Sequence, residues 1–381
     1  MPANFGSDNG AGAHPLILEA LLDASQGSVA AYGNDDLTAD VERQLAELFD
    51  CDITVLLLGT GTAANCVGLA TLCSAFGGIY AHQEAHIVND ESTAPEFYTS
   101  GARQITVGGV AAKPDLTELT RAIEVSGARG VHSVKPSVMA LSNLTELGAR
   151  LSANEIAGYA DLAKSKGMKL FVDGARFANA VAAGSESPAD LTWRSGVDAL
   201  SFGATKNGAL AAEALVFFNP KDAELAPYHR KRGGHLWSKQ RFLAAQFDAY
   251  LNDNLWLKLA TYANEKMRYL HSELETVTGV TVLSGGDGNE LFVSMDDALA
   301  EALHAKGHTF YAWPSLPKAF RLVTSFITEQ KEIDEKLNKA LRDISELEKE
   351  LAQKQEDFNA EFDKNMTLIK KTNQYNSLFG K

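Results

Sequence analysis

Cysteine, net positive charge and long apolar runs are all scarce in this chain, and each scarcity excludes a class of protein. Three cysteines occur in 381 residues. Cys51, Cys66 and Cys73 lie close together without CxxC spacing or histidine partners, so neither a disulfide framework nor a metal site is expected. They read as buried thiols of a reducing cytoplasm. Lysine and arginine total 35 against 49 aspartates and glutamates, a formal net charge of −14. That balance argues against nonspecific nucleic-acid binding and requires a locally basic pocket for any anionic substrate. No apolar run approaches the ~20 residues needed to span a bilayer. The opening Met1-Pro2-Ala3-Asn4-Phe5 lacks a charged-then-apolar signal. The expectation is a cytoplasmic protein with neither membrane nor nucleic acid as a partner.

What the chain does have is core. Hydrophobic residues make up 45% of it, enough for a large α/β domain and a smaller one. Residues 1–15 read as a polar N-terminal segment, with His14-Pro15 opening a helix. Over 16–245 strand and helix patterns alternate. Strands are expected at Val55–Leu58, Gly78–Ala81, Gln104–Val107, Val138–Ser142, Leu170–Val172, Ala199–Phe202 and Leu215–Phe218. A helix over Ser152–Lys166 has capping-box spacing, Ser152 to Glu155, and Gly167 as its stop. Such alternation predicts a mainly parallel sheet covered on both faces. Leu236–Leu274 reads as long and mostly helical, leading into a small α+β domain over 246–343. The last stretch, 344–381, continues a charged pattern that begins near Glu329. Leu337, Leu341, Ile344, Leu347, Leu351, Phe358 and Phe362 fall at helical spacing. This predicts a long helix, either an oligomerisation or partner arm or a helix packed on its own subunit.

The chemistry is written between Leu170 and Lys206. The strand Leu170-Phe171-Val172 runs into Asp173-Gly174-Ala175-Arg176, and the next strand delivers Gly203-Ala204-Thr205-Lys206. Taken singly, Asp173 is a helix cap and Lys206 a solvated loop lysine. Together they supply what pyridoxal phosphate requires: an amine to hold its aldehyde and a carboxylate to keep its pyridine nitrogen protonated. Open α/β sheets bind ligands at such strand ends. A third anchor is Gly59-Thr60-Gly61-Thr62-Ala63-Ala64-Asn65, a turn between strand and helix where backbone N–H groups favour an anion. It has neither P-loop nor GxGxxG spacing.

With Asp8-Asn9, Tyr32-Gly33-Asn34-Asp35, Gly61–Asn65, Ala85-His86-Ile87, Val172–Phe177, Lys206 and Phe320-Arg321-Leu322-Val323-Thr324 in this order, the chain resembles the low-specificity threonine aldolases over roughly residues 3–343. These are fold type I (aspartate-aminotransferase-like) pyridoxal-phosphate enzymes. The resemblance implies a carbon–carbon lyase that cleaves L-threonine, L-allo-threonine or related β-hydroxy-α-amino acids to glycine and an aldehyde. It implies a homotetramer or homodimer with shared active sites. Lys206 would carry the cofactor and Asp173 face its pyridine nitrogen, with Arg176 on the ring's oxygen side. His86 would stack on the ring near the substrate hydroxyl. Gly61 and Thr62 would take the phosphate, with Arg232 of the basic block Tyr228–Gly234 assisting. Ser7 and Arg321 would grip the substrate carboxylate, and Tyr32 would line the substrate site. No metal is implied. His86 could equally be a satisfied core residue, and Arg230–Arg232 a solvated basic turn.

Two departures stand out. Some members of the family carry a second histidine in a Glu-Asn-Thr-His-Asn run after the strand placed at Val138–Ser142. This chain has Asn143-Leu144-Thr145-Glu146-Leu147-Gly148 there. The tail beyond about Asp343 has no counterpart in the family. The competing readings are a β-eliminating lyase on the same anchors, a transaminase, and a scaffold acting through its C-terminal helix.

Overall fold

The computed structural model describes residues 4–334, 342, 349, 353–368, 370 and 371. Its main sheet has seven strands: β1 (Thr54–Leu58), β2 (Gly77–His82), β3 (Arg103–Val107), β4 (Lys135–Ser142), β5 (Lys169–Gly174), β6 (Ala199–Gly203) and β7 (Glu213–Phe217). They lie in the order β1-β7-β6-β5-β4-β2-β3. Pairing is parallel from β6 through β5, β4 and β2 to β3, and antiparallel where β7 meets β6 and β1. The near-continuous burial of β2 and β5–β7 is what a sheet covered on both faces demands. Helices supply the cover. One face carries Gly61–Leu72, buried nearly all round and therefore not amphipathic. The other carries Asp36–Phe49, Ala153–Ser165 and Arg241–Leu251. The Ser152/Glu155 capping box forms as expected.

The second sheet is antiparallel, ordered β10-β11-β9-β8, from β8 (Thr281–Gly285), β9 (Glu290–Ser294), β10 (Tyr311–Ala312) and β11 (Ala319–Val323). β10 is too short for a periodicity signal to mark it. The expected Leu236–Leu274 helix is two helices, Arg241–Leu251 and Leu255–Leu274, broken where Asp253 and Asn254 take positive φ. Residues 245 and 246 fall inside the first. The second bridges two cores, with Trp256 and Ala260 in the large one and Met267, Leu270 and Leu274 in the smaller one.

The N-terminal segment belongs with the second sheet. Phe5 N–H donates to the Thr309 carbonyl (2.8 Å), and the Phe5 carbonyl accepts from Val323 N–H (2.9 Å). Phe5 is buried in the smaller core. This stitching carries Ser7 and Asp8 to the ends of the main strands. Residues 353–368 are helical and exposed throughout, with the Phe358 and Phe362 rings stacked at 6.4 Å. The apolar positions expected upstream of them, Leu337 to Leu351, lie outside the described residues.

Candidate active site

A cavity of about 650 Å³ opens where the parallel strands end. Asp173 is the penultimate residue of β5, opposite Ser201 of β6. Its Oδ2 accepts from Asn65 Nδ2 at 2.7 Å and its Oδ1 from Ala175 N–H at 3.0 Å. Asn65 is a buried hub. Its Nδ2 also donates to Glu91 Oε1 (2.8 Å), and its Oδ1 accepts from Ser201 Oγ (2.9 Å). Two carboxylates are thus held by one amide, in fixed orientation, in a site where an unbonded charge would be costly.

Lys206 follows β6 by one short turn. Its neighbour Asn207 is buried and donates to Tyr250 Oη (2.7 Å) and the Trp256 carbonyl (2.8 Å), which fixes the turn. Burial depresses the Lys206 amine, the Arg176 charge adds to that, and Asp8, Glu290 and Asp173 offset it only in part. A depressed amine is more often in its neutral, nucleophilic form near neutral pH. Beside it Glu213 of β7 accepts from Thr205 Oγ1 at 2.5 Å. Burial pushes Glu213 up to about 7. Gly203, its partner across the strands, leaves room for it: a Cβ there would sit 2.9 Å from Glu213 Oε2.

His86 opens the short helix His86–Asn89 that follows β2. Its Nδ1 pairs with Glu91 Oε1 at 2.8 Å, and Glu91 is fully buried. Donor atoms of His86, Glu91 and Asp173 all lie within 4.8 Å of one another. Burial alone would lower the imidazole. The Glu91 hydrogen bond and the Asp173 and Glu91 charges outweigh it and hold His86 above its usual value. Glu146, in the loop after β4, accepts from the His86 backbone N–H (2.9 Å) and from Ser142 Oγ (2.5 Å). Burial pushes it up to about 7.

At the far end the two sheets and the N-terminal segment meet in a chain of charges. Arg176 donates to both oxygens of Asp8, from Nε at 2.8 Å and Nη2 at 3.0 Å, and pairs with Glu290 Oε1 at 3.0 Å. Arg321 lies 3.6 Å from the same Glu290 oxygen, donates to the Gly6 carbonyl (3.1 Å) and lies over the Trp313 ring at 5.4 Å. Its Nε is buried and has no hydrogen-bond partner among the described residues, a donor aimed for an anion. Ser7 lines the cavity close by.

The turn after β1 is tighter than its sequence suggests. The helix begins at Gly61, so Gly61 and Thr62 form its first turn, capped by Thr60, whose Oγ1 accepts from Ala63 N–H at 3.1 Å. A Cβ at Gly61 would meet no heavy atom within 4 Å. Here is an open cradle at a 12-residue helix N-terminus, where the dipole favours a phosphate. With a nucleophilic amine, a clamped carboxylate and this cradle in one cavity, the residues fit a phosphorylated pyridine aldehyde.

Of the expected site residues, Ser7, Gly61, Thr62, His86, Asp173, Arg176, Lys206 and Arg321 line this one cavity. Tyr32 and Arg232 do not. Both are exposed, and the Lys231 ammonium sits 5.2 Å over the Tyr32 ring. Sequence reasoning missed Glu91, Glu146, Glu213, Glu290 and Trp313. Glu91 lies five residues after His86 and Glu290 opens a strand, but no local pattern separates these carboxylates from solvated ones.

Fold and cavity define an α/β enzyme with a lysine and a carboxylate on neighbouring strand ends. Residues 4–298 match the family model described as Beta-eliminating lyase. The low specificity L-threonine aldolase of Pseudomonas sp. (strain NCIMB 10558) is 36% identical over 331 residues, covering 87% of this chain and 95% of that protein. The Pseudomonas aeruginosa protein of the same name is 37% identical over 312 residues, 81% of this chain and 89% of that one. The structure of Leishmania major threonine aldolase superposes with a TM-score of 0.84 at 27% identity, covering 90% of this chain and all of that one. The chain belongs to the low-specificity threonine aldolase group of the β-eliminating lyase family.

Proposed function

We propose that this protein is a pyridoxal-phosphate-dependent lyase that cleaves β-hydroxy-α-amino acids to glycine and an aldehyde. The observation that carries it is the convergence of Lys206, the Asn65-clamped Asp173 and His86 on one cavity, with the half-buried Arg321 at its end. Bound there, the cofactor supplies an aldehyde that condenses with the substrate amine and a ring that accepts the electron pair released at Cα.

The chain's residues supply the rest. Lys206 holds the cofactor until substrate displaces it. Asp173, fixed by Asn65 and the Ala175 amide, keeps the pyridine nitrogen charged. Gly61 and Thr62 hold the phosphate. Arg321, with Ser7, grips the substrate carboxylate as a fork and thereby selects which bond at Cα lines up for cleavage. His86, oriented through Nδ1 by Glu91, takes the β-hydroxyl proton from its remaining nitrogen, a role worth ~10²–10⁴-fold. Arg176, tied to Asp8 and Glu290, anchors the N-terminal segment beside the ring's oxygen side.

Tyr32 and Arg232 fit this reading as residues lent to a neighbouring copy in a homo-oligomer with shared sites, which their exposure supports. The reading also sets the protein in the cytoplasm, consistent with its sparse cysteines. We take residues 16–245 as the cofactor-binding domain, 246–343 as the smaller one and 344–381 as an appended tail. Product analysis tests the function. Mixing cofactor-loaded protein with L-threonine and its allo isomer is expected to give glycine and acetaldehyde. Oxobutyrate and ammonia would instead assign β-elimination, the second reading, which the family's own description favours.

A further inference from the structure

We propose that Glu146 is a second proton-transfer group of this site, the acid that returns a proton to Cα after cleavage. The proposal rests on the lyase reading above and extends it to a residue that reading leaves idle. Cleavage of the Cα–Cβ bond involves two proton movements at different atoms. The β-hydroxyl proton leaves as the carbonyl forms, and a proton must then reach Cα to give glycine. His86 has one ring nitrogen tied to Glu91 at 2.8 Å, so it offers one nitrogen and serves one event at a time.

Glu146 is built for the other event. It lines the cavity with Ser142 and Thr145, on the loop that follows β4. One of its oxygens takes both the Ser142 hydroxyl (2.5 Å) and the His86 amide (2.9 Å). The carboxyl is therefore positioned by the segment that bears His86 without engaging the imidazole. The titratable group whose charge acts on it is Asp173 at the end of β5, while His86 reaches it through its backbone N–H. Burial pushes it up to about 7 and the Asp173 charge adds to that, against the Ser142 and His86 bonds. A group poised there holds a proton and releases it at neutral pH. The balance closes within the site. The hydroxyl proton passes to His86, the Cα–Cβ electron pair stays on the glycine fragment, and the Glu146 O–H proton goes to Cα. Both residues reset by exchange with solvent once the aldehyde and glycine leave.

The test follows exchange of the glycine α-proton in heavy water by NMR on cofactor-loaded protein, with cofactor absorbance recorded alongside. Glu146→Gln is expected to bind cofactor with the wild-type spectrum yet exchange ~10²-fold or more slowly, with partial recovery in Glu146→Asp. In the wild type, exchange rises as pH climbs through about 7, because removal of the α-proton needs the ionised carboxylate, and Ser142→Ala moves that midpoint upward because it removes a bond that stabilises the charged form. An independent readout is the infrared carboxyl band of cofactor-free protein, whose titration near 7 loses one component in Glu146→Gln. Wild-type exchange rates in Glu146→Gln, or an unmoved midpoint in Ser142→Ala, overturn the proposal. A wild type whose absorbance shows no cofactor uptake sinks the lyase reading itself, and this proposal with it.

Discussion

Glu213→Gln is expected to stabilise the cofactor-free protein, and only above about pH 5. Glu213 is buried at 5% exposure on β7, with a short hydrogen bond from Thr205 Oγ1 and a backbone hydrogen bond from the same residue to support its charge. Burial raises its carboxyl from 4.5 to about 7, against the Thr205 bond and the Lys206 charge. A tenfold change in proton affinity is worth about 1.4 kcal/mol, so the ionised carboxylate costs the folded state about 3 kcal/mol at pH 8. The sign follows from linkage. With the folded value above the unfolded one, the unfolded chain holds fewer protons between pH 4.5 and 7. The stability of the protonated form is therefore full below pH 4.5 and is lost as pH rises through 7. Glutamine keeps the shape and an acceptor for Thr205 but has no proton to lose. The difference between variant and wild type is thus near zero at pH 4.5, climbs to about 3 kcal/mol by pH 8 and then levels. Urea unfolding at several pH values measures it, followed through Trp256 in the large core and analysed on the first transition, since two cores need not unfold together. A gain that is flat with pH, or absent at pH 8, refutes the argument.

Three other outcomes follow. Lys206→Ala abolishes turnover and covalent cofactor, read by mass spectrometry of the borohydride-reduced protein; retention of both would remove Lys206 from the chemistry. His86→Ala lowers kcat by ~10²–10⁴-fold while cofactor affinity stays close to wild type, so an unchanged kcat in steady-state assays would displace it from proton transfer. Asn65→Leu removes two hydrogen bonds to carboxylates, each worth ~1.5–3 kcal/mol, and destabilises the large domain by about 3 kcal/mol or more in the same urea experiment; a loss under ~0.5 kcal/mol would mean that Asp173 and Glu91 find other partners.

The pattern of what could be read in the sequence has a physical cause. Strand periodicity, the Ser152/Glu155 box and the order of Asp173 and Lys206 are local signals, and local signals place residues at strand ends. The main sheet and most of its cavity followed from them. The helix starts at Gly61, inside the segment Gly59–Asn65 that reads as a turn, because small residues such as Ala63 and Ala64 fit turn and helix alike, and Thr60 decides between them by capping Ala63. The break at Asp253–Asn254 went unread because positive φ at non-glycine residues leaves little trace in composition.

The acidic half of the site is a different matter. Glu91, Glu146, Glu213 and Glu290 sit in four separate segments, and three of them, Glu91, Glu146 and Glu290, are held by partners distant in sequence. Glu91 is held by Asn65, 26 residues before it, and Glu290 pairs with Arg176 and Arg321. Glu146 is bonded to His86, 60 residues before it. In a chain with 49 acidic residues, nothing marks four of them until folding withdraws them from water. Desolvation is a tertiary effect, and it is what turns a carboxylate with an ordinary affinity for protons into one poised at neutral pH. The cofactor anchors can therefore be read from sequence order, whereas the proton-handling groups emerge from burial, and Glu146 and Glu213 are the two positions where that distinction has measurable consequences.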